Sequence, residues 1–147
     1  MSWRILHVLG AAGLFILAGC GGSGLKHKLV PVSGRVMLGN QPLTIGRVSF
    51  VPDSSKGNNA HVECVGRIGP TGRYEIYTKE AGGSESSKGV PLGAYKVILV
   101  KLLPEEGGSP ELERRVNRSY FDATQTPLSI EVVENAPEGA YDLKVAK

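Results

Sequence analysis

The residues best suited to chemistry by type and spacing are His61, Glu63 and Cys64. Imidazole, carboxylate and thiolate groups are all zinc ligands in proteins. The surrounding pattern predicts an extended strand, in which residues 61 and 63 point to one face and residue 64 to the other. A single strand cannot direct all three groups at one ion. We therefore predict no metal site and no cofactor, and we expect Cys64 to be a small core residue.

A hydrolytic site would also depend on His61, because His27, the other histidine beyond residue 20, lies close to the N-terminal segment. A serine–histidine–aspartate arrangement needs a serine and a carboxylate beside the imidazole. The candidate carboxylates are Asp53, Asp122 and Asp142, whose distances from His61 the sequence does not give. We predict that the chain is not an enzyme, and we keep as the alternative a small hydrolase with its site near His61.

The second cysteine, Cys20, ends an apolar N-terminal segment. Residues 1–4 carry one positive charge, and residues 5–17 are apolar except for His7. This run is shorter than the ~20 residues that span a bilayer, but it suits the core of a signal peptide. The next residues, Leu17, Ala18, Gly19 and Cys20, resemble the lipobox of bacterial lipoproteins.

The lipobox resemblance implies diacylglycerol transfer to the sulfur of Cys20, cleavage before that residue and acylation of the new amino terminus. We therefore expect a signal peptide over 1–19, a lipidated flexible tether over 20–29 and a folded domain over 30–147. The partner implied is the membrane, through the lipid on Cys20. Gly21 stands where an aspartate resembles an inner-membrane retention signal, which favours an outer membrane or cell surface.

Composition limits the folded part to a few classes. The 147 residues include 20 glycines and 9 prolines, about a fifth of the chain, and these residues are costly inside helices but suit the turns of a β protein. The formal net charge is +3, and removal of residues 1–19 would take away only Arg4. Nucleic-acid binders usually carry a larger and more clustered positive excess, so we expect no nucleic-acid partner.

Apolar and polar residues alternate with a period of two through most of the folded part. This alternation predicts half-buried strands, and the segment 94–100, which is apolar on both faces, predicts an interior strand. Seven short strands joined by breaker-rich links indicate an all-β, antiparallel Greek-key sandwich, of the kind that includes immunoglobulin-like domains. The strands are expected at 32–38, 47–51, 61–68, 73–78, 94–100, 128–133 and 141–145.

The order of several short motifs resembles carboxypeptidase-regulatory-like or transthyretin-like domains over roughly residues 31–146. The resemblance implies a seven-stranded, non-catalytic accessory or adhesive module and supplies no site residues. The motifs are Pro31-Val32-Ser33-Gly34-Arg35-Val36 with Gln41-Pro42-Leu43, Val48-Ser49-Phe50-Val51-Pro52, Thr71-Gly72-Arg73-Tyr74-Glu75-Ile76, and Pro91-Leu92-Gly93-Ala94-Tyr95-Lys96-Val97.

The long charged link over 101–126 is the candidate binding surface. Long loops in compact domains are uncommon and often functional, and residues 111–118 are compatible with a short helical turn. Tyr120 has two interpretations, as part of an exposed platform or as a cover for the open end of the core. We expect a membrane-anchored structural or binding module for an envelope protein or polysaccharide. The residues assigned to the surface are Glu111, Arg114, Arg115, Arg118 and Tyr120.

Overall fold

The computed structural model describes residues 27–103 and 110–147. The predicted signal peptide over 1–19, the lipobox residues Leu17, Ala18, Gly19 and Cys20, and the first part of the predicted tether lie outside these described residues. In the part of the chain that is described, no helix is long and apolar enough to cross a membrane.

The described residues form twelve strands, several of them only two residues long. Helical segments are α1 (Glu111–Arg115) and 3₁₀ turns at Ser54–Lys56 and Arg118–Phe121. The strands, numbered in chain order, are β1 (Leu29–Val30), β2 (Ser33–Leu38), β3 (Gln41–Pro42), β4 (Arg47–Pro52), β5 (Val62–Arg67), β6 (Arg73–Glu75), β7 (Tyr77–Glu80), β8 (Ser87–Lys88), β9 (Val90–Pro91), β10 (Gly93–Val100), β11 (Ser129–Val132) and β12 (Leu143–Val145).

The strands form two main sheets and one small ribbon, so the prediction of a mostly β protein with antiparallel sheets is confirmed. The larger sheet has the order β11-β10-β4-β5-β7-β8, and its neighbours are antiparallel throughout. The second sheet has the order β12-β2-β3, with β6 also paired to β2. The two-residue strands β1 and β9 form the ribbon, so Leu29 at the end of the predicted tether is already paired with Pro91.

One pairing differs from the predicted wholly antiparallel arrangement, because β12 runs parallel to β2. Both strands start from the same end of the domain. The chain enters β2 from the N-terminal segment, and it enters β12 from the loop over 133–142, which lines one groove together with Lys28 and Leu29. Two strands that start at the same end and lie side by side must be parallel.

One hydrophobic core lies between the two main sheets. Phe50 on β4 contacts Tyr74 on β6 edge to face, with ring centroids 6.3 Å apart. The alternation predicted from the sequence is confirmed for these strands, because their buried residues are spaced by two. The buried core residues include Val36, Val48, Phe50, Cys64, Tyr74, Tyr95, Val97, Leu99, Leu143 and Val145.

The predicted strand over 73–78 divides between the two sheets. Its first part, β6, pairs with β2, and its second part, β7, pairs with β5. At the division, Ile76 donates its backbone N–H to the Val32 carbonyl at 3.1 Å, and its own carbonyl accepts from Gly89 at 2.9 Å. The alternation of inward and outward residues continues across the division. For that reason the sequence pattern gives no sign of the change of partner.

Gly66 on β5 permits this strand to pass close to its neighbour. A Cβ atom at position 66 would lie 2.1 Å from the Glu75 carbonyl oxygen and 2.9 Å from its carbonyl carbon. These are backbone atoms, which cannot move aside as a flexible side chain can. The close approach therefore requires glycine at this position.

Replacing Gly66 with alanine should lower the free energy of unfolding by about 3 kcal/mol, because overpacking against fixed backbone strains the fold. Urea unfolding of residues 27–147 measures the change. Gly69→Ala is the matched control, since its added Cβ has its nearest neighbour at 3.4 Å. That variant should change stability by less than about 1 kcal/mol. Equal effects of the two substitutions would contradict the close approach at Gly66.

Candidate functional site

The predicted binding link contains the expected helical turn, but one face of that turn belongs to the core. Helix α1 and the following 3₁₀ turn bury Leu112, Val116 and Tyr120, which are 2%, 4% and 7% exposed. These residues are spaced by four, as on one face of a helix. Tyr120 therefore covers the end of the core, as its second interpretation proposes. Its assignment to an exposed binding surface is wrong, because the side chain is buried.

Four charged residues of the link form two ion pairs within it. Arg115 pairs with Glu111 one turn earlier at 3.4 Å, and Glu113 pairs with Lys101 at 3.2 Å. Arg114 and Arg118 are exposed. Exposed ion pairs of this kind contribute at most about 1 kcal/mol each. Three of the four charged residues of the predicted surface are thus exposed, and Arg115 is half-buried.

The link lies at the end of the domain opposite to the tether. The carbonyl of Ala146, just beyond β12, accepts from the Asn117 N–H at 3.0 Å, and the Ala146 N–H donates to the Tyr120 hydroxyl at 3.2 Å. Strand β12 ends beside Leu38, the last residue of β2. The N-terminal segment enters at Leu29, before the first residue of β2. The link therefore caps the end at which β2 and β12 finish.

His61 lies directly before strand β5. It is exposed, and no hydrogen bond of its side chain is found among the described residues. Of the candidate carboxylates, Asp53 is already engaged. Its Oδ1 accepts from the Ser55 hydroxyl at 2.6 Å and from the Ser55 N–H at 3.1 Å. These bonds cap the 3₁₀ turn at Ser54–Lys56 and lower the pKa of Asp53 against the opposing effect of burial.

The geometry brings together neither a triad nor a zinc site around His61. In a triad the carboxylate orients the imidazole, whereas Asp53 bonds to Ser55. The predicted separation of faces is present, because His61 and Glu63 are exposed and Cys64 is buried. In residues 27–103 and 110–147, no group of three or more histidine, cysteine, aspartate or glutamate side chains is placed to hold a metal ion.

Cys64 is a core thiol, as predicted. It is fully buried on β5, and its sulfur lies 3.1 Å from the Thr78 hydroxyl oxygen. The same hydroxyl lies 2.6 Å from the Gly89 carbonyl oxygen. Burial raises the pKa of Cys64 to about 11, which keeps the thiol protonated and unreactive at neutral pH.

Sequence reasoning missed several concave sites, and the first is a groove of about 750 Å³ beside the tether. It lies between the start of β2 and the loop over 133–142. Its charges balance, because three cations and three carboxylates line it. Lys28 pairs with Glu134, and Asp142 accepts from the Arg35 backbone N–H at 2.8 Å. The groove is polar but has no excess of either charge.

The second is a hollow of about 520 Å³ where the strand over 73–80 changes sheets. We call it the arginine hollow, and its lining includes Arg67, Arg73, Glu75 and Tyr77. Glu75 is already paired with Lys88 at 2.9 Å. The sequence signal for this site is weak. Two arginines flank the turn over 69–72, and exposed arginines beside turns are common.

No protein-family model, curated protein or solved structure matches the chain. The resemblance to carboxypeptidase-regulatory-like and transthyretin-like domains therefore rests on the sequence motifs alone.

Truncating Leu112 to alanine should lower the free energy of unfolding by about 2–5 kcal/mol, because it leaves a cavity at the capped end of the core. Chemical denaturation of residues 27–147 measures this loss. Arg114→Ala, on the same helix but exposed, should change stability by no more than about 0.5 kcal/mol. A loss below about 1 kcal/mol for Leu112→Ala would show that the link does not help to close the core.

Cys64 should react with a thiol reagent at pH 8 only when the protein unfolds. Cys64 is the one cysteine among residues 27–103 and 110–147, so in a chain that lacks Cys20 the ultraviolet absorbance of its thiolate reports on it alone. In the folded state its raised pKa stabilises the protein below pH 9, and this contribution is lost as the pH rises from about 9 to about 11. Rapid labelling of the native protein would contradict the core placement.

Proposed function

We propose that the chain is a cell-envelope lipoprotein, anchored to a bacterial membrane through Cys20, whose β domain is a non-catalytic structural or binding module. The observation that carries the anchor is the apolar segment over 5–17 that ends directly in Leu17-Ala18-Gly19-Cys20. Several acyl chains on one residue provide stable anchoring, since each buried methylene contributes about 0.8 kcal/mol. Gly21 after the cysteine favours an outer membrane or cell surface.

The way in which the chain enters the β domain supports an anchor at Cys20. Eight residues separate Cys20 from Leu29, and eight residues span at most about 28 Å. Lys28 then pairs with Glu134, and Leu29 pairs with Pro91, so the domain begins immediately after the tether. An anchor at Cys20 would keep the balanced groove near the membrane and direct the link over 101–126 away from it.

The fold we propose in detail is a seven-stranded Greek-key sandwich of the transthyretin-like or carboxypeptidase-regulatory-like kind. The seven strands expected from the sequence correspond to β2, β4, β5, the divided strand β6–β7, β10, β11 and β12. The order of the sequence motifs supports the assignment. Such modules act as accessory or adhesive domains, and the partner class we propose is an envelope protein or polysaccharide, with no nucleic acid. Among the described residues, nothing around His61 favours hydrolysis.

The anchor is tested by Cys20→Ser, because lipid transfer requires the thiol and cleavage follows lipidation. The variant should persist as a precursor that retains residues 1–19 and carries no acyl chains. Intact-mass spectrometry of the membrane fraction measures both properties.

The matched control is Cys64→Ser, the same chemical change at the other cysteine. It should be cleaved and acylated normally, since processing reads only the N-terminal segment. Normal maturation of Cys20→Ser, with the mass of acyl chains still attached, would overturn the proposed function.

A further inference from the structure

The turn between β5 and β6 fixes the backbone positions of Arg67 and Arg73. The Gly69 N–H donates to the Arg73 carbonyl at 2.8 Å, and the Gly72 N–H donates to the Gly69 carbonyl at 2.9 Å. Gly72 has a φ of 77°, a conformation that glycine adopts without strain. Its carbonyl accepts from Val36 at 2.8 Å, which ties the turn to β2. The turn that joins the two arginines is therefore held by hydrogen bonds within itself and to β2.

The arginine hollow carries uncompensated positive charge. Within residues 27–103 and 110–147, neither Arg67 nor Arg73 forms an ion pair, and the lining carboxylate of Glu75 is held by Lys88. Arg35 lies directly opposite Arg73 across β2 and β6, and its side chain forms no ion pair in the described chain, although its backbone N–H donates to Asp142 at 2.8 Å. Like charges directly opposite on paired strands are destabilising. The fold thus keeps a positive site at some cost to its own stability.

An exposed aromatic ring lines the same hollow as these arginines. Tyr77 is 44% exposed and stands directly opposite Val65 on the neighbouring strand. Tyrosine offers a broad apolar face with a polar edge, and arginine binds carboxylates through two parallel hydrogen bonds. The hollow's volume of about 520 Å³ falls within the usual range of small-ligand sites, about 300–1,000 Å³. This combination suits a ring-shaped ligand that bears a carboxylate.

We propose that the arginine hollow binds an acidic saccharide, with Arg67 and Arg73 holding a sugar carboxylate and Tyr77 packing against the sugar ring. The inference rests on the proposed function, because it names the ligand class of the envelope module. The Tyr77 ring favours a sugar acid over a simple anion, because only the sugar has a ring face that can pack against the tyrosine. The groove beside the tether shares Arg73 with the hollow, but three carboxylates also line the groove, so it offers no comparable preference for an anionic ligand.

The test is an NMR titration of the isotopically labelled mature chain in neutral detergent, which observes backbone amides and arginine Nε–H groups. The probe is trigalacturonate, and maltotriose and inorganic phosphate are the comparison ligands. Trigalacturonate should shift the resonances of Arg67, Arg73 and Tyr77, and maltotriose at the same concentration should not. Absence of shifts at these residues would overturn the proposal. Phosphate binding there as tightly as trigalacturonate would also overturn it, since the site would then recognise charge alone.

Arg73→Gln should weaken trigalacturonate binding about tenfold or more, because a charge-assisted hydrogen bond is lost. The melting temperature should not fall, since the like-charge pair with Arg35 is removed as well. Arg114→Gln removes the same charge from helix α1, outside the lining of the hollow, and should leave the affinity unchanged. Unchanged binding by Arg73→Gln, or equal losses in both variants, would contradict the site.

The two proposals fail in distinguishable ways. Trigalacturonate binding is measured on the mature chain and on the Cys20→Ser variant, which differ in the anchor but share the hollow. Binding by both with normal maturation of Cys20→Ser would sustain the hollow and refute the anchor. A verified anchor with no binding at Arg67 and Arg73 would refute the saccharide site alone.

Discussion

The close passage of one strand over Gly66 is the constraint on which the rest of the domain depends. The strand over 73–80 can belong to both sheets only because the Glu75 backbone lies where a side chain at position 66 would otherwise stand. On the inner side this strand places Tyr74 against Phe50 and lets the Tyr74 hydroxyl donate to the Tyr141 carbonyl. Burial raises the pKa of Tyr74 far above its usual range, so the hydroxyl stays protonated as a donor. The outer side of the same strand carries the side chains of the arginine hollow.

The sequence predicted those strands that have a distinct hydrophobic pattern. Val48 and Phe50 alternate with polar neighbours, and residues 94–100 are apolar on both faces, so strands β4 and β10 were found near their observed positions. The parallel pairing of β12 and the division of the strand at Ile76 were not predictable, because alternation records which side is buried and not which strand is adjacent. In the link, the buried face formed by Leu112 and its neighbours is obscured in the sequence by the charges around it.

The arginine hollow was beyond sequence reasoning for a related reason. Arg67 and Arg73 are separated by a turn. They line one hollow only because strands β5 and β6, which pair in different sheets, lie next to each other. Arg35 is 38 positions from Arg73 along the chain and becomes its neighbour only through the pairing of β2 with β6. By contrast, Cys64 could be assigned to the core because its place in the alternation is local. Local patterns thus reveal burial, whereas charged sites arise from contacts distant in sequence.

The account places ligand binding on the outer face of an anchored domain, in a hollow that shares Ser33 and Arg73 with the groove beside the tether. The most direct test is photo-crosslinking in intact cells, with benzoylphenylalanine in place of Tyr77 and, separately, in place of Arg114. The account predicts a reproducible adduct from position 77 that contains an acidic saccharide, and no such adduct from position 114. Adducts that form only from position 114, or an adduct at position 77 without an acidic saccharide, would contradict it.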